Sequence, residues 1–500
     1  MKLETLASSA SARLVQKSNA RRSVDITGIT CDSRSVRLGD LFAALPGAKT
    51  DGAQFARQAA QRGAAAILCE HEDPLVELPQ LVCDDARLAL AKAARAFYGH
   101  ADLRMRLGAV TGTNGKTTSA YLVRHILKFC ARQCGMLGTI EYDLGSEIIE
   151  APLTTPESLD LHGYLRTMAD AGCDSAFMET SSHSLCQHRV AGIHFDAAVF
   201  TNLTQDHLDY HRTMDAYREA KAILFRNLLP DSVAILNMDD EAGRYFAANT
   251  PARVMGFTIK GDNASPFSWN TEIVATIRRM TIHGTTFGLE TPWGNREVHI
   301  KQAGAHNVQN ALGALGATMA MGADFDRAIE ALESFNGVPG RLESVELPQN
   351  SGKQSFRVLV DYAHTEDALR SVMQALRELK PSRLITVFGC GGDRDRKKRP
   401  LMGRAVEEMA DLGVVTSDNP RTENPIAILN EICAGIRAQG KFFIEPDRAK
   451  AIEFAVNEAR ADDVVLVAGK GHESYQIFGT EKRHFSDVEE SLKSLQKRFA

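Results

Sequence analysis

Residues 110–118 read VTGTNGKTT, and this stretch decides the fold around it. The apolar residues 107–110 predict a strand before it, and YLVRHILKF predicts a helix after it. Glycines in such a loop let backbone N–H groups face phosphate oxygens, and the helix N-terminus adds positive potential. We predict a nucleotide-phosphate loop in which Lys116 reaches the β- and γ-phosphates of ATP and a Thr117 or Thr118 hydroxyl ligates Mg²⁺. The predicted nucleotide-binding residues of the loop are Gly112, Thr113, Asn114, Gly115, Lys116, Thr117 and Thr118.

The loop departs from the common P-loop pattern at one position. That pattern requires a glycine at the place that Val110 occupies. The simpler alternative is a glycine-rich turn with an exposed lysine. The order of strand, loop and helix favours the phosphate site, because a phosphate site uses all three parts.

Strands and helices alternate on both sides of this loop. The runs LGAV, SAFMET, AAVFTNL and SVAILNM predict strands of a mostly parallel, doubly wound sheet. Residues 270–301 look antiparallel, with TPWGN as a hairpin turn. Beyond the linker FNGVPGRLE, four more apolar runs end in polar or glycine-rich loops, which predicts a second open sheet whose loops share one ligand site.

The predicted fold class is therefore α/β with three domains. We expect a small N-terminal α/β domain over residues 1–102 and a central P-loop-type ATPase domain with a mostly parallel sheet over residues 103–338. A C-terminal Rossmann-like α/β domain is expected over residues 339–500.

Composition limits the classes of function. The chain has 500 residues, a net charge of −5 and 44% hydrophobic residues, so nothing in it attracts nucleic acid or anionic lipid as a whole. Nine scattered cysteines show neither zinc-ligand spacing nor Cys-x-x-Cys, which indicates reduced thiols. The N-terminus lacks a signal-peptide pattern, and no apolar stretch reaches the length of a membrane span. We expect a cytoplasmic monomer that binds small molecules, without nucleic acid and without membrane insertion.

Four blocks of sequence together resemble the Mur ligase family. They are TGTNGKTT, METSSHSLCQHRV (residues 178–190), TNLTQDHLDYH (201–211) and YREAK (217–221), and the resemblance extends over roughly residues 30–480. It implies an ATP-dependent ligase of cell-wall synthesis. ATP would phosphorylate a carboxylate of a UDP-linked muramoyl peptide, and the amine of an amino acid would then displace phosphate from the acyl phosphate.

The metal and catalytic residues follow in part from residue chemistry and in part from this resemblance. Glu179 ends a strand-like run, where a carboxylate can hold Mg²⁺ against nucleotide phosphates. On residue type alone, His207 could be a hydrogen-bonded loop residue rather than a metal ligand. Lys221 could likewise be an ordinary solvated charge. The resemblance implies that His207 ligates a second Mg²⁺ and that Lys221 is carbamylated, giving the catalytic set Lys116, Glu179, His207 and Lys221. The predicted metal ligands are Thr117, Glu179, His207 and Lys221.

Two further groups are implied to bind the UDP-muramoyl dipeptide. In the segment TCDSRSVRLGDLFAALPG, Ser33 and Arg34 resemble uridine-diphosphate contacts, although a simple turn in which Arg34 pairs with a nearby acid is the alternative. The remaining residues implied for this substrate are Ala48, Lys49, Thr50, Thr154, Thr155, Ser181, Gln187 and Arg189.

The nucleotide site is expected to include residues far from the phosphate loop. Asn307 and Asn310 lie three apart at a helix start and resemble the family's adenine contact, with N-capping as the alternative. Arg341, Asp361 and His364 resemble family residues that meet ATP.

The C-terminal loops are expected to select the amino acid. The tetrad Asp418, Asn419, Pro420 and Arg421 is similar to that of the diaminopimelate-adding members of the family. A guanidinium can grip the extra carboxylate that meso-diaminopimelate has and L-lysine lacks. We expect Arg421 and Arg394 to bind its carboxylates and Glu473 its distal ammonium, although the run DRDRKKR around Arg394 also suits a solvated charge cluster. Gly469 completes the predicted diaminopimelate-binding set.

Several alternatives stay open on the sequence. An L-lysine-adding ligase of the same family would lack the arginine at position 421. A folylpolyglutamate-synthase-like ligase would lack the segment at residues 30–52, and a P-loop ATPase module would give the C-terminal loops no role. A hydrolase built on Ser182 and His183 would need a nucleophile elbow, which is absent.

Overall fold

A computed structural model describes residues 1–16, 24–47, 51–260, 271–282, 284–347 and 354–500. These residues divide into two compact units. The first comprises Met1–Val274, Glu290–Gly294 and Gln309–Ala331, and the second comprises Ala275–Leu289, Asn295–Val308 and Leu332–Ala500. The domain limits expected from the sequence, at residues 102/103 and 338/339, stay predictions.

The N-terminal part of the first unit is a small α/β layer structure. Its sheet has the order β1-β5-β4-β3-β2, with β1 antiparallel and the others parallel. Buried aliphatic side chains of these strands pack against α1 and α3. The elements are α1 Leu3–Ser9, β1 Arg13–Val15, β2 Gly28–Thr30, β3 Asp40–Ala43, α2 Ala56–Gln61, β4 Ala66–Cys69, β5 Gln80–Val82 and α3 Ala86–Phe97.

The central elements follow the predicted alternation. All four predicted strand runs form strands, and a helix begins at Lys116 as expected. The elements are β6 Arg106–Thr111, α4 Lys116–Phe129, β7 Cys134–Leu137, β8 Glu141–Asp143, β9 Ile148–Glu150, α5 Ser158–Asp170, β10 Ser175–Glu179, α6 Ser182–Cys186, β11 Ala197–Phe200, α7 Leu208–His211, α8 Met214–Arg226, β12 Val233–Asn237, α9 Glu241–Ala248 and β13 Arg253–Ile259.

The central sheet places several loops at one edge. In the order β13-β12-β11-β6-β10-β7 the neighbouring strands are parallel, and β8 and β9 continue the sheet antiparallel. Glu179 is paired with Val110, and Phe200 with Thr111. The carboxyl ends of β10, β6 and β11 therefore meet at the same edge, where ligands bind in open parallel sheets.

The predicted antiparallel segment forms three long strands. They follow β13 in the sheet order, and a two-residue turn at Pro292 and Trp293 joins the last two, as TPWGN predicts. The elements of this stretch and of the helices after it are β14 Thr271–Thr281, β15 Gly284–Thr291, β16 Gly294–Ile300, α10 Ala305–Ala320 and α11 Phe325–Ser334.

The second unit contains the second open sheet that the sequence predicts. Its order is β17-β18-β22-β19-β20-β21, with all neighbours parallel except β17 and β18. The elements are β17 Glu343–Val345, β18 Arg357–Asp361, α12 Glu366–Glu378, β19 Leu384–Phe388, α13 Lys398–Met409, β20 Leu412–Val415, α14 Pro425–Cys433, β21 Phe442–Ile444, α15 Arg448–Glu458, β22 Val464–Ala468, β23 Tyr475–Phe478, β24 Glu481–His484 and α16 Asp487–Phe499.

This sheet is buried on both faces. The side chains of β18, β19 and β22 alternate between two apolar clusters, one against α12, α13 and α14 and the other against α15 and α16. Such double burial explains why these strands read as unbroken apolar runs. The α/β fold class is confirmed. Within the residues that the structure describes, none of the helices has the length and apolar character that crossing a bilayer needs.

Candidate active site

The phosphate loop, residues 112–118, curls between the carboxyl end of β6 and the start of α4. Gly115 has a φ of +87°, and a Cβ there would lie 2.3 Å from Asn310 Oδ1. The loop is held by the segment after β11, because Thr113 N donates to Asn202 O at 2.8 Å and Asn114 N to Asn202 Oδ1 at 3.0 Å. The structure therefore brings the predicted Asn310 to the loop.

Two lysines converge on one carbonyl of this loop. Lys116 Nζ donates to Gly112 O at 2.8 Å and to Thr113 O at 2.8 Å, and Lys221 Nζ donates to the same Gly112 O at 2.9 Å. Lys221 lies on α8, is 1% exposed, and its ammonium sits 4.4 Å from the centre of the Tyr217 ring. Burial lowers the pKa of Lys221 well below its ordinary value, and the charge of Lys116 lowers it further.

Glu179 lies at the centre of a cluster of hydroxyls. Its carboxylate accepts from Thr117 Oγ1 at 3.0 Å, from Thr139 Oγ1 at 3.0 Å and from Thr139 N at 2.8 Å. The predicted pair Thr117 and Glu179 is thus brought together. Thr139 was not predicted, because only the pairing of β7 with β10 brings the loop after β7 to Glu179.

His207 lies in a cluster of rings. Its backbone is left-handed, with a φ of +53°, and its ring packs edge-on 6.0 Å from Tyr217, which also contacts Lys221. Ring nitrogens and carboxylates are not grouped in threes that could hold a metal ion anywhere in the described part of the chain. Thr117 and Glu179 still fit Mg²⁺, because that ion is commonly held by one or two protein oxygens together with nucleotide phosphates.

Five residues predicted for the muramoyl peptide form one group beside Glu179. Thr155 Oγ1 donates to Glu179 O at 2.9 Å and accepts from Ser181 N at 3.1 Å, while Thr154 Oγ1 lies 3.2 Å from Thr139 Oγ1. Arg189 connects the remaining members of the group. Its guanidinium donates to Thr155 O and to Gln187 Oε1 and forms a salt bridge with Glu157.

The predicted uridine segment forms a turn in the N-terminal sheet region. Ser33 Oγ donates to Gln58 Oε1 at 2.9 Å, and Arg34 pairs with Asp32 at 2.8 Å while 82% of its side chain is exposed. The hydrogen bond from Arg34 lowers the pKa of Asp32 to about 2. The simple turn is therefore present, and the Arg34 guanidinium remains accessible. The other predicted contacts, Ala48, Lys49 and Thr50, lie outside the described residues.

In the second unit, the four C-terminal loops meet at the carboxyl edge of the sheet. They are residues 362–365 after β18, 389–396 after β19, 416–424 after β20 and 469–474 after β22. Asn419 Nδ2 donates to Glu473 Oε2 at 2.9 Å, and Arg421 Nη1 donates to Gly392 O at 2.7 Å. The Tyr362 ring lies 5.2 Å from the His472 ring, so the structure brings together all four loops that were expected to share a site.

The two arginines predicted to bind carboxylates are not paired with an acidic side chain among the described residues. Arg421 is half-buried with a φ of +50°, and neither it nor the exposed Arg394 forms a salt bridge with any described residue. The neighbours of Arg394 differ, since Arg396 pairs with Glu431 and Arg399 pairs with Glu423 and Glu431. Two of the arginines in the charge run are therefore already paired, whereas Arg394 is not.

The carboxylates of Glu473 and Asp418 in this site are neutralised by a buried lysine of the same unit. Lys470 is fully buried and donates to Glu473 Oε2 at 3.0 Å and to Asn419 Oδ1 at 3.3 Å, and its Nζ lies 3.7 Å from Asp418 Oδ1. No role was assigned to Lys470 from the sequence. Pro420 lies close to the loop after β19, because a Cβ on Gly392 would be 1.9 Å from Pro420 O. Gly469, with a φ of +119°, completes the turn that leads to Lys470.

The residues predicted to meet ATP from the C-terminal part gather around Tyr362. Arg341 lies over its ring at 5.3 Å, and the buried Asp361 accepts from Leu342 N at 2.8 Å. Burial raises the pKa of Asp361. His364 Nδ1 lies 3.0 Å from Tyr362 O. Asn307 Nδ2 donates to Ala303 O at 2.8 Å, near the start of α10.

The hydrolase alternative does not fit the geometry. Ser182 is 2% exposed, and its hydroxyl lies 2.8 Å from the ring nitrogen of His211 rather than against His183. It lies at the start of the five-residue helix α6. A buried hydroxyl at this position is not accessible to a substrate carbonyl.

Comparison with known proteins defines the class. Three family models match in succession: Mur ligase family, catalytic domain, over residues 25–98; Mur ligase middle domain over 110–318; and Mur ligase, glutamate ligase domain, over 340–471. The chain belongs to the Mur ligase family, with its three-domain α/β architecture.

Three similar proteins of known name belong to one branch of the Mur ligase family. A protein of Geobacter metallireducens named UDP-N-acetylmuramoyl-L-alanyl-D-glutamate–2,6-diaminopimelate ligase is 43% identical, covering 98% of this chain and 97% of its own length. A Gloeobacter violaceus protein with the same name is 44% identical over 95% of each chain. A solved structure with that name is 34% identical, covers 97% of both chains and has a TM-score of 0.70.

Proposed function

We propose that this protein joins meso-2,6-diaminopimelate to the D-glutamate of UDP-N-acetylmuramoyl-L-alanyl-D-glutamate, with conversion of ATP to ADP and phosphate. The observation that carries the proposal is similarity above 40% over nearly the whole chain to enzymes with that name. The hydrogen bonds that join the loop of Asn419 and Arg421 to Glu473 and to Gly392 agree with it.

The first half-reaction is activation of the carboxylate. A glutamate oxygen of the dipeptide attacks the γ-phosphorus, the bond to the bridging oxygen breaks, and ADP leaves with that electron pair. Backbone N–H groups of the phosphate loop, the helix N-terminus and Lys116 stabilise the transferring charge. Thr117 and Glu179 would hold Mg²⁺, which when bound supplies further neutralisation of phosphate charge.

Lys221 is proposed to act as a carbamate rather than as an ammonium. Two ammonium groups that share the Gly112 carbonyl repel each other, and burial favours the neutral amine of Lys221. A neutral amine adds to CO₂ with release of one proton, and the product carries a negative charge that would attract Lys116 and suit a metal site. His207, whose ring also contacts Tyr217, is proposed as a second metal ligand.

The acceptor is proposed to lie along the first unit. Ser33, Arg34 and residues 48–50 would contact the uridine diphosphate, and Thr154, Thr155, Ser181 and Gln187 would contact the muramoyl peptide. Arg189 is already paired with Glu157. Its direct role would therefore be to hold this group in place or to exchange that partner for a substrate anion.

The second half-reaction brings in the amine. Arg421 and Arg394 would bind diaminopimelate carboxylates and Glu473 its distal ammonium, so that its other amine attacks the acyl carbon and phosphate leaves. The adenine is proposed to contact Asn307 and Asn310, with Arg341, Asp361 and His364 also meeting ATP.

We also propose a cytoplasmic, monomeric enzyme. None of the nine cysteines forms a disulfide, which suits a reducing compartment. Sedimentation at several protein concentrations checks the monomer, since a concentration-dependent mass would contradict it.

Phosphate release tests the reaction. ATP and the UDP-muramoyl dipeptide are supplied with meso-diaminopimelate, L-lysine, glutamate or no amine. We expect release only with diaminopimelate, together with a product heavier by one diaminopimelate residue. Equal release with L-lysine would favour the lysine-adding relative, and release that needs no amine would favour a simple ATPase.

A further inference from the structure

We propose that Arg448 is a positioning residue for the amine donor. It fixes the spacing between the loop that carries Asp418, Asn419 and Arg421 and the loop that carries Gly469 and Glu473. This inference rests on the proposed function, because diaminopimelate is the ligand that these two loops would bind.

Arg448 spans two strands that are not neighbours. Its Nη1 donates to Ser417 O at 3.3 Å and its Nη2 to Ala468 O at 3.0 Å. Ser417 follows β20 and Ala468 ends β22, and β19 lies between these strands in the sheet. These two strands do not pair with each other directly, and the guanidinium bridges the two carbonyls at the point where the loops leave the sheet.

The guanidinium itself is fixed in place. Asp487, the first residue of α16, accepts from Arg448 Nε at 2.7 Å and from Nη2 at 2.7 Å, and both side chains are fully buried. Burial opposes the charge, but Asp487 and, more distantly, Asp418 and Glu473 raise the pKa of Arg448. A buried ion pair often adds no stability over an apolar pair of the same size. Its specific contribution here is the placement of the two carbonyls.

The positions it fixes are those next to the donor residues. Ser417 precedes Asp418, and Ala468 precedes Gly469, whose added Cβ would meet Asp418 Oδ2 at 3.3 Å. Across the two loops, Asn419 meets Glu473 at 2.9 Å. Hydrogen bonds of this length tolerate little relative movement, and a shift of about 1 Å can cost roughly 10²-fold in rate.

The chain supplies a matched control at the opposite edge of the same sheet. Arg383 pairs with the buried Asp463 at 2.6 Å and donates to Glu458 O at 2.7 Å, where β19 and β22 begin. Arg383→Lys therefore weakens an ion pair with a buried aspartate far from the C-terminal loops, at an arginine that is 28% exposed.

The test compares Arg448→Lys with Arg383→Lys in the full-length enzyme. Lysine keeps the charge but cannot donate to Asp487 and both carbonyls together. If Arg448→Lys does not fold, the double variant Arg448→Met with Asp487→Leu takes its place. The double variant removes both charges of the pair, so no unpaired buried ion remains. We expect Arg448→Lys to raise KM for diaminopimelate about 10- to 100-fold, with KM for ATP and for the UDP substrate within about twofold of wild type. Arg383→Lys should leave all three unchanged.

Two results would overturn the inference alone. One is an unchanged KM for diaminopimelate in a folded Arg448 variant while Arg421→Ala raises it. The other is an equal rise in the Arg383 control, which would indicate general loosening of the sheet. Wild-type enzyme without diaminopimelate-dependent phosphate release would instead overturn the proposed function, and the inference with it.

Discussion

The phosphate loop and the four C-terminal loops both lie at the carboxyl ends of parallel strands, yet they are built differently. The phosphate loop consists of consecutive residues, and its shape depends on glycine backbone angles and on hydrogen bonds to residues 201–204. The C-terminal site takes side chains from four loops spread over residues 362–474, and buried arginines tie those loops together. One site depends on local backbone shape, and the other on the distances between strands.

This difference indicates how each site can fail. A change inside the phosphate loop should impair every reaction that needs ATP. A change in the C-terminal loops should impair one amine donor and leave nucleotide use intact. The following predictions separate the two sites, and their expected effects decrease in order.

Lys116→Met should have the largest effect. It removes the cation that stabilises the transferring phosphoryl group, so we expect phosphate release to fall about 10³-fold with any amine. Steady-state phosphate release measures it. Lys128→Met, on the last turn of the same helix, is the control and should stay within about twofold of wild type, because Lys128 pairs with Asp143 away from the loop. Comparable losses in both variants would contradict a specific role for Lys116.

Lys221→Ala should reduce activity roughly 10²–10³-fold, because the carbamate proposed for this side chain is lost. Added formate or acetate should restore part of the activity by supplying carboxylate oxygens. Mass spectrometry of the native wild-type protein should show one CO₂ that acid removes. Full activity of the variant without added carboxylate would exclude the carbamate.

Arg421→Ala should lower the preference for diaminopimelate over L-lysine by at least about 100-fold, since a site built on polar pairing discriminates through that pairing. The ratio of kcat/KM for the two amines measures it, and KM for ATP should not change. Arg396→Ala removes a nearby arginine that already pairs with Glu431 and should keep the preference. A preserved preference in the Arg421 variant would refute the assignment.

Gly115→Ala should have the smallest effect. Alanine at a φ of +87° costs about 1–2 kcal/mol, and its Cβ would crowd Asn310, so we expect KM for ATP to rise about tenfold. Gly172→Ala has a nearly identical φ of +86°, and its Cβ would meet only the end of the Gln133 side chain, at 3.4 Å. It should cost similar stability in thermal unfolding without changing KM for ATP. If both variants raise KM equally, backbone strain alone is responsible.

The sequence predicted the strands and the order of strand, loop and helix around Lys116 because their information is local. An unbroken apolar run such as VVLVA indicates a strand buried on both faces wherever it occurs. The order of strand, glycine loop and helix around Lys116 likewise needs no distant residue. Thr139 escaped prediction because its contact with Glu179 depends on which strand lies beside β10.

The sequence by itself determined the α/β class, the phosphate loop and the residue types of the C-terminal loops, because each of these depends on residues that are close together in the chain. Only the tertiary structure decided which charges are already paired. Arg399 and Lys470 are neutralised inside the protein, whereas Arg394 and Arg421 form no salt bridge with a described residue. Arg448 likewise reads as an ordinary surface cation in the sequence, because its two carbonyl partners and Asp487 come together only when β20, β22 and α16 pack. Pairing is a matter of distances between strands and helices, and a linear pattern carries no such distances.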